Sequence, residues 1–179
     1  MGDDGALHQL TKEQIHDLLG KGWLTHDGMW FLHAAEDLGV ETANSLNKKA
    51  IRSLADVEMG RMRRAMGVAD GPVALEDAVA LARDGLMVTM PDSVAAGFEL
   101  RTEPGRMTWE WEEDRCFAYK GMARAGLLEG YECGVLFRLA CWLDVLGADN
   151  EFDPPIGKCL MVDDGECRGE VRLGGGEVT

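Results

Sequence analysis

Five cysteines, Cys116, Cys133, Cys141, Cys159 and Cys167, carry the most reactive atoms of this 179-residue chain, at intervals of 17, 8, 18 and 8 positions. No two form a CxxC pair, so no zinc or iron–sulfur knuckle is encoded locally. Their positions in the expected elements say more. Cys116 ends a strand and starts a helix, Cys133 opens another helix, and Cys167 begins the last strand. A helix N-terminus favours the thiolate, which makes Cys116 and Cys133 the expected nucleophiles. Cys141, set among Leu139, Ala140, Trp142 and Leu143, reads as core. For the others, burial as small hydrophobes is the competing reading.

A second group lies earlier in the chain. Over Asp27 to Leu38, helical spacing puts Trp30, Phe31, Ala34 and Leu38 on an apolar stripe, with His26, His33 and Asp37 along its edge. Two imidazoles and a carboxylate there suit a metal or an oriented acid/base group, although a His33–Asp37 surface pair is the plainer reading. Glu58 is the sharper anomaly, because it falls inside the stripe of Ile51, Leu54, Ala55, Met62 and Ala65. A carboxylate in that place must find a partner or take up a proton. Arg61, on the stripe's rim, or a base from the sheet would serve. The alternatives are a packing pair and a pocket carboxylate ready for proton transfer.

The elements that must position these groups are legible in part. Thr11 and Gln14 form a capping box that opens a helix expected to end near Gly20; a second helix runs from about Asp27 to Leu38. Asn47 is expected to cap a long helix, Lys48 to Met66, closed by Gly67. Pro72 precedes a helical run from Val73 to Arg83. Phe98 to Thr102 and Arg106 to Glu112 alternate apolar and polar residues around Pro104-Gly105, which predicts a hairpin with Met107, Trp109 and Trp111 on one face. Helices follow at Phe117 to Ala125 and Cys133 to Leu146. A last hairpin is expected from Lys158 to Val162 and Cys167 to Leu173, turning at Asp163-Asp164-Gly165. The fold class is therefore α+β: a helical N-terminal half packed on a small antiparallel sheet of about four strands, built of two hairpins separated by two helices. Residues 1–173 are expected to form one domain, and 174–179 a flexible tail.

Composition sets the outer bounds. The chain has 32 acidic and 18 basic residues and a formal charge of −14, which argues against duplex nucleic acid and anionic membranes. The excess is uneven: residues 1–90 hold 14 acids and nine bases, residues 91–179 hold 18 and nine. A thiolate in the more acidic half needs local support, for which Arg115, Lys120 and Arg124 are nearest to Cys116. Residues 47–65 are locally basic, a solvated face suited to the acidic strand end at Glu110 to Asp114. No signal peptide and no membrane span is evident, so a cytoplasmic protein is expected. Phosphate loops, dinucleotide fingerprints, nucleophile elbows and metalloprotease helices are missing.

Asp27-Gly28-Met29-Trp30-Phe31-Leu32, the helix with Glu58 and Arg61 to Arg64, Cys116 after a strand, Lys120-Gly121, Cys133, Asp153-Pro154-Pro155 and the Cys167 strand carry a resemblance. The chain resembles small cytosolic bacterial and archaeal proteins of unknown function, loosely related to L-2-amino-thiazoline-4-carboxylic acid hydrolase-like proteins. That resemblance implies opening of a small cyclic C–N or C–S bond by water. Cys116, Cys133 and Cys167 would be the residues carried over, with His33 and Glu58 as helpers; Phe117 stands where those relatives tend to have Pro. Three expectations stand together. The first is a small-molecule or metal site lined by cysteine, with Trp30, Arg61 and Cys167 as ligand contacts and zinc or iron held by Cys116, Cys133, Cys167, His26 and His33. The second is a hydrolase using Cys116, Cys133, Glu58 and His33. The third is a structural module, with a homodimer compatible.

Overall fold

A computed structural model describes residues 9–69 and 71–175. Helix α1 runs from Lys12 to Leu38 without a break, opened by the Thr11/Gln14 capping box. The expected stop at Gly20 is therefore corrected. A Cβ on Gly20 would sit 2.3 Å from Pro91 Cγ, so this glycine lets α1 approach the segment after α3 and does not end a helix. Gly39, at φ +86°, is the true break. Helix α2 starts at once and spans Val40–Met66, so Asn47 lies inside it and does not cap it. Its early portion is held by Asn44, which is buried. That side chain donates to the Gly130 carbonyl at 2.7 Å and accepts from the Glu132 N–H at 3.1 Å. A buried amide with both ends paired outweighs the capping preference of Asn47.

Helix α3 covers Leu75–Thr89 and a single turn, α4, covers Asp92–Ala95. Strands β1 (Phe98–Glu103) and β2 (Arg106–Trp111) form the expected hairpin, with Gly105 at φ +71° in its turn. Helix α5 (Phe117–Ala125) and helix α6 (Gly134–Leu146) end at left-handed Gly126 and Gly147. Strand β3 (Ala148–Asp153), the turn α7 (Leu160–Asp163) and strand β4 (Cys167–Gly175) complete the chain.

The sheet is antiparallel with order β1-β2-β4-β3. The second hairpin is corrected: Lys158 makes only an isolated bridge with Glu132, and Leu160 to Asp163 is helical. Between β2 on one side and β3 on the other, β4 takes β3 where the second hairpin was expected; Ala148 and Phe152 of β3 face inward while Asp149, Glu151 and Asp153 are exposed. Such a polar, charged edge strand carries little β-propensity, which is why its alternation is hard to read. Strand β4 also continues through Gly174 and Gly175, opposite Asp149 and Ala148, past the expected start of the tail; 176–179 lie outside the described residues.

Met107, Trp109, Trp111, Cys167 and Val171 line the buried face of the sheet against the helical layer. Glu99, Arg101, Thr108, Glu110, Arg168 and Glu170 line the other. Among the described residues no helix is long and apolar enough to cross a membrane. At the centre of the sheet Trp109 sits opposite Gly169, where an added Cβ would lie 2.5 Å from both the indole ring and the Asp153 carbonyl oxygen. Gly169→Ala is therefore expected to destabilise the fold by about 1–3 kcal/mol through overpacking. Denaturant unfolding with an unchanged m-value checks this; a midpoint equal to that of the parent chain would contradict it.

Candidate functional site

The pairing of Glu58 organises one side of the molecule. Its stripe on α2 faces α6, and there its carboxylate accepts from Arg138 Nη1 at 2.6 Å and from Trp142 Nε1 at 2.8 Å. The side chains of Glu58 and Arg138 keep 13% and 11% of their exposure, so the charges are largely withdrawn from water and each depends on the other. Arg61 is exposed and is not the partner expected for it. Both carboxylate oxygens are taken up in fixing α6 on α2. Of the two readings of Glu58, the geometry favours the packing pair.

The Arg138 guanidinium also lies over the ring of Trp23, 4.6 Å from its centroid, a cation–π contact that ties α1 to the pair. It forms one wall of a groove of about 460 Å³ between α1, α5 and α6. Trp23, Leu24, Phe31, Ile51, Met122 and Val135 give it an apolar body; Asn47, Tyr131 and Arg138 contribute polar atoms, and the exposed Lys21, Asp27 and Arg124 line it as well. Tyr131 stands edge-on to Phe31, with centroids 5.5 Å apart, and its hydroxyl accepts from the Gly134 N–H at 3.2 Å. Burial pushes the Tyr131 hydroxyl up, so it stays a neutral phenol.

The residues expected at a site fall in three places. Trp30 is 68% exposed on the outer side of α1 and is absent from the groove wall, where Trp23 stands instead. Leu38 is exposed as well, so the inward face of α1 centres on Phe31 and Ala35. His26 is exposed. His33 is exposed and pairs with Glu36 at 2.8 Å, one turn on, in place of Asp37. Neither imidazole meets a cysteine. Among the described residues no three His, Cys, Asp or Glu side chains are disposed as they stand to hold a metal ion. The metal set of Cys116, Cys133, Cys167, His26 and His33 is corrected accordingly.

All five cysteines are free thiols, and none lines the groove. Cys116 and Cys133 do occupy the N-cap positions of α5 and α6. The expected activation is nonetheless overturned. Burial pushes the Cys116 thiol up despite N–H groups of Tyr119 and Ala118 that favour its anion. Cys133 is pushed up to about 12, first by burial, against the N–H groups of Leu136 and Val135. Cys167 also reaches about 12, through burial and then the nearby Cys133. Desolvation of the charged form outweighs the helix ends. Cys141, in the core, is likewise raised by burial.

Arg138, Trp142 and Trp23 were not singled out by sequence reasoning. A basic residue within the otherwise apolar run Val135 to Leu143 was the available signal, since a charge there needs a buried partner as much as Glu58 does. The family model described as a family of unknown function, DUF6125, matches residues 8–82. That stretch includes Trp23 and Glu58 but ends before Arg138 and every cysteine. No curated protein and no solved structure matches the chain.

A thiol with a raised folded-state pKa contributes stability that is fully present below the unfolded value, about 8.5, and lost as pH rises toward the folded one. For Cys133 and Cys167 the window runs up to about 12. The reduced chain is expected to lose more than about 5 °C in Tm between about pH 8 and pH 10.5. The Cys133→Ala/Cys167→Ala variant should lose distinctly less over that range. Equal alkaline losses in the two chains would contradict this reading.

Proposed function

We propose that the chain binds a small, largely apolar molecule carrying one oxyanion in the groove between α1, α5 and α6. The observation that carries this reading is Arg138, the one charged lining residue that is largely buried; Lys21, Asp27 and Arg124 also line the groove but are exposed. A guanidinium held by Glu58 and stacked on Trp23 is oriented before a ligand arrives, which limits the ordering cost of binding. Among the described residues its protein hydrogen bond goes to Glu58 alone, through Nη1, leaving N–H groups for a carboxylate or sulfonate. The Tyr131 hydroxyl and the Asn47 amide supply further neutral polar contacts. Binding, and not hydrolysis, is favoured because Glu58 is occupied on both oxygens and Cys116 and Cys133 stand behind the wall as protonated thiols.

Anilinonaphthalene sulfonate, an aromatic anion of suitable size, tests this by fluorescence titration of the native chain. One saturable site is expected. Val135→Trp, which fills the groove, should abolish it. Arg138→Gln, which keeps an N–H for Glu58, should weaken binding about tenfold, the effect of losing roughly 1.4 kcal/mol. Circular dichroism confirms that each variant folds. Undiminished binding to folded Val135→Trp would overturn the proposal.

A further inference from the structure

The sheet has two open edges, and they differ in kind. At one, β3 places Asp149, Glu151 and Asp153 on the outer face. An antiparallel copy pairing there would set acid against acid in every register, which guards that edge. At the other, β1 pairs with β2 alone. Its six residues run in unbroken register with β2 and include neither Pro nor Lys, so the bulges and residues that usually blunt an edge are missing. Its charges alternate in sign. Glu99, Arg101 and Glu103 are exposed on the outer face, while Phe98, Leu100 and Thr102 are half-buried on the inner one.

The turn fixes which backbone groups of β1 are free. Glu103 and Arg106 face each other across the two-residue turn Pro104-Gly105, and the Glu112 N–H donates to the Gly97 carbonyl at 2.8 Å. Glu99, Arg101 and Glu103 therefore direct their N–H and C=O groups at β2, and the alternate residues Phe98, Leu100 and Thr102 direct theirs outward. Among the described residues, none of those six outward groups has a backbone partner.

A second β1 laid antiparallel must match outward residues to outward residues, which leaves few registers. With Leu100 opposite the partner's Leu100, Phe98 meets the partner's Thr102 and every outward N–H reaches a carbonyl. Glu99 then stands opposite the partner's Arg101, and Arg101 opposite the partner's Glu99. Sliding by two residues sets Glu99 against Glu99 or Arg101 against Arg101, which is unfavourable. Sliding by four brings Pro104, which has no N–H, opposite Leu100, or carries the pairing off the strand to Ala96. A single register unites the complete ladder with opposite charges.

We propose that β1 pairs in that register with β1 of a second copy of this chain, about a twofold axis at Leu100. Two four-stranded sheets then become one continuous sheet, and the half-buried Phe98 and Leu100 gain cover. Arg101, which holds Glu99 of its own strand at 2.7 Å, comes to lie between two Glu99 carboxylates. Each chain carries a formal charge of −14, a repulsion that salt at about 0.15 M largely screens beyond about 8 Å.

Sedimentation equilibrium of the full, reduced chain at that ionic strength tests the pairing. At about 100 μM the parent is expected to show near twice the 19.6 kDa mass of one chain. Arg101→Glu sets Glu against Glu at two symmetry-related places, so it should raise the dimer dissociation constant at least about tenfold. Glu99→Arg/Arg101→Glu exchanges the two signs and should bring the constant back to within about threefold of the parent. Leu100→Pro removes an outward N–H and no β1–β2 bond, so it should fold, by circular dichroism, and stay monomeric. Should Leu100→Pro not fold, the two charge variants decide. A parent chain still monomeric at about 200 μM would overturn the proposal. So would a dissociation constant unchanged in folded Arg101→Glu, or one that the double exchange fails to restore. A dimer that survives in Leu100→Pro and is lost in Trp30→Glu would place the contact on the exposed face of α1 and overturn it as well.

Discussion

The buried pair of Glu58 and Arg138 is the interaction on which the arrangement of the helices turns. A carboxylate and a guanidinium, each mostly out of water, are stable there only because they meet; removing one strands the other. Trp142 closes the second carboxylate oxygen and Trp23 covers the guanidinium. Three helices, α1, α2 and α6, are thus referred to one point. The inward faces of α2, α3 and α6 supply most of the burial in the helical layer, but apolar contacts tolerate sliding and rotation. A hydrogen-bonded ion pair does not, and it fixes which face of α6 looks at α2.

The groove follows from that geometry. With α6 seated on α2, Val135 and Arg138 are turned toward α1, and α5 closes the opposite wall through Met122. The same seating places Cys133 at the start of α6 beneath the groove, beside the Glu132–Lys158 bridge that brings Cys159 alongside. The groove, with the Arg138 guanidinium fixed in its wall, and the burial of Cys133 behind it are therefore two consequences of one packing arrangement. Reactivity at the sulfurs does not follow from it. Desolvation holds them protonated.

The helical half and the first hairpin could be read from the sequence because local signals govern them. The capping box at Thr11, Gly67 and Gly126 as stops, and Pro104-Gly105 with its alternating neighbours all act within a few residues. What was not legible depended on distant partners. Gly20 resembles a helix stop until Pro91 lies against it. Asn47 resembles a cap until Asn44, three residues earlier, finds Gly130 and Glu132 across the fold. Strand β3 is too polar to be recognised until β4 pairs with it. The anomaly of Glu58 was visible in the helical period, whereas its partner, eighty residues later in the chain, was not. His33 and Trp30 illustrate the converse: their spacing on α1 suggested a common site, but both face solvent.

A double-mutant cycle on Glu58→Gln and Arg138→Gln, measured by denaturant unfolding, tests the organising role of the pair most directly. If the two charges depend on each other, each single variant costs about 3–5 kcal/mol, and the double variant costs much less than their sum, with a coupling energy of about 2 kcal/mol or more. Strictly additive losses, with coupling below about 0.5 kcal/mol, would contradict the account.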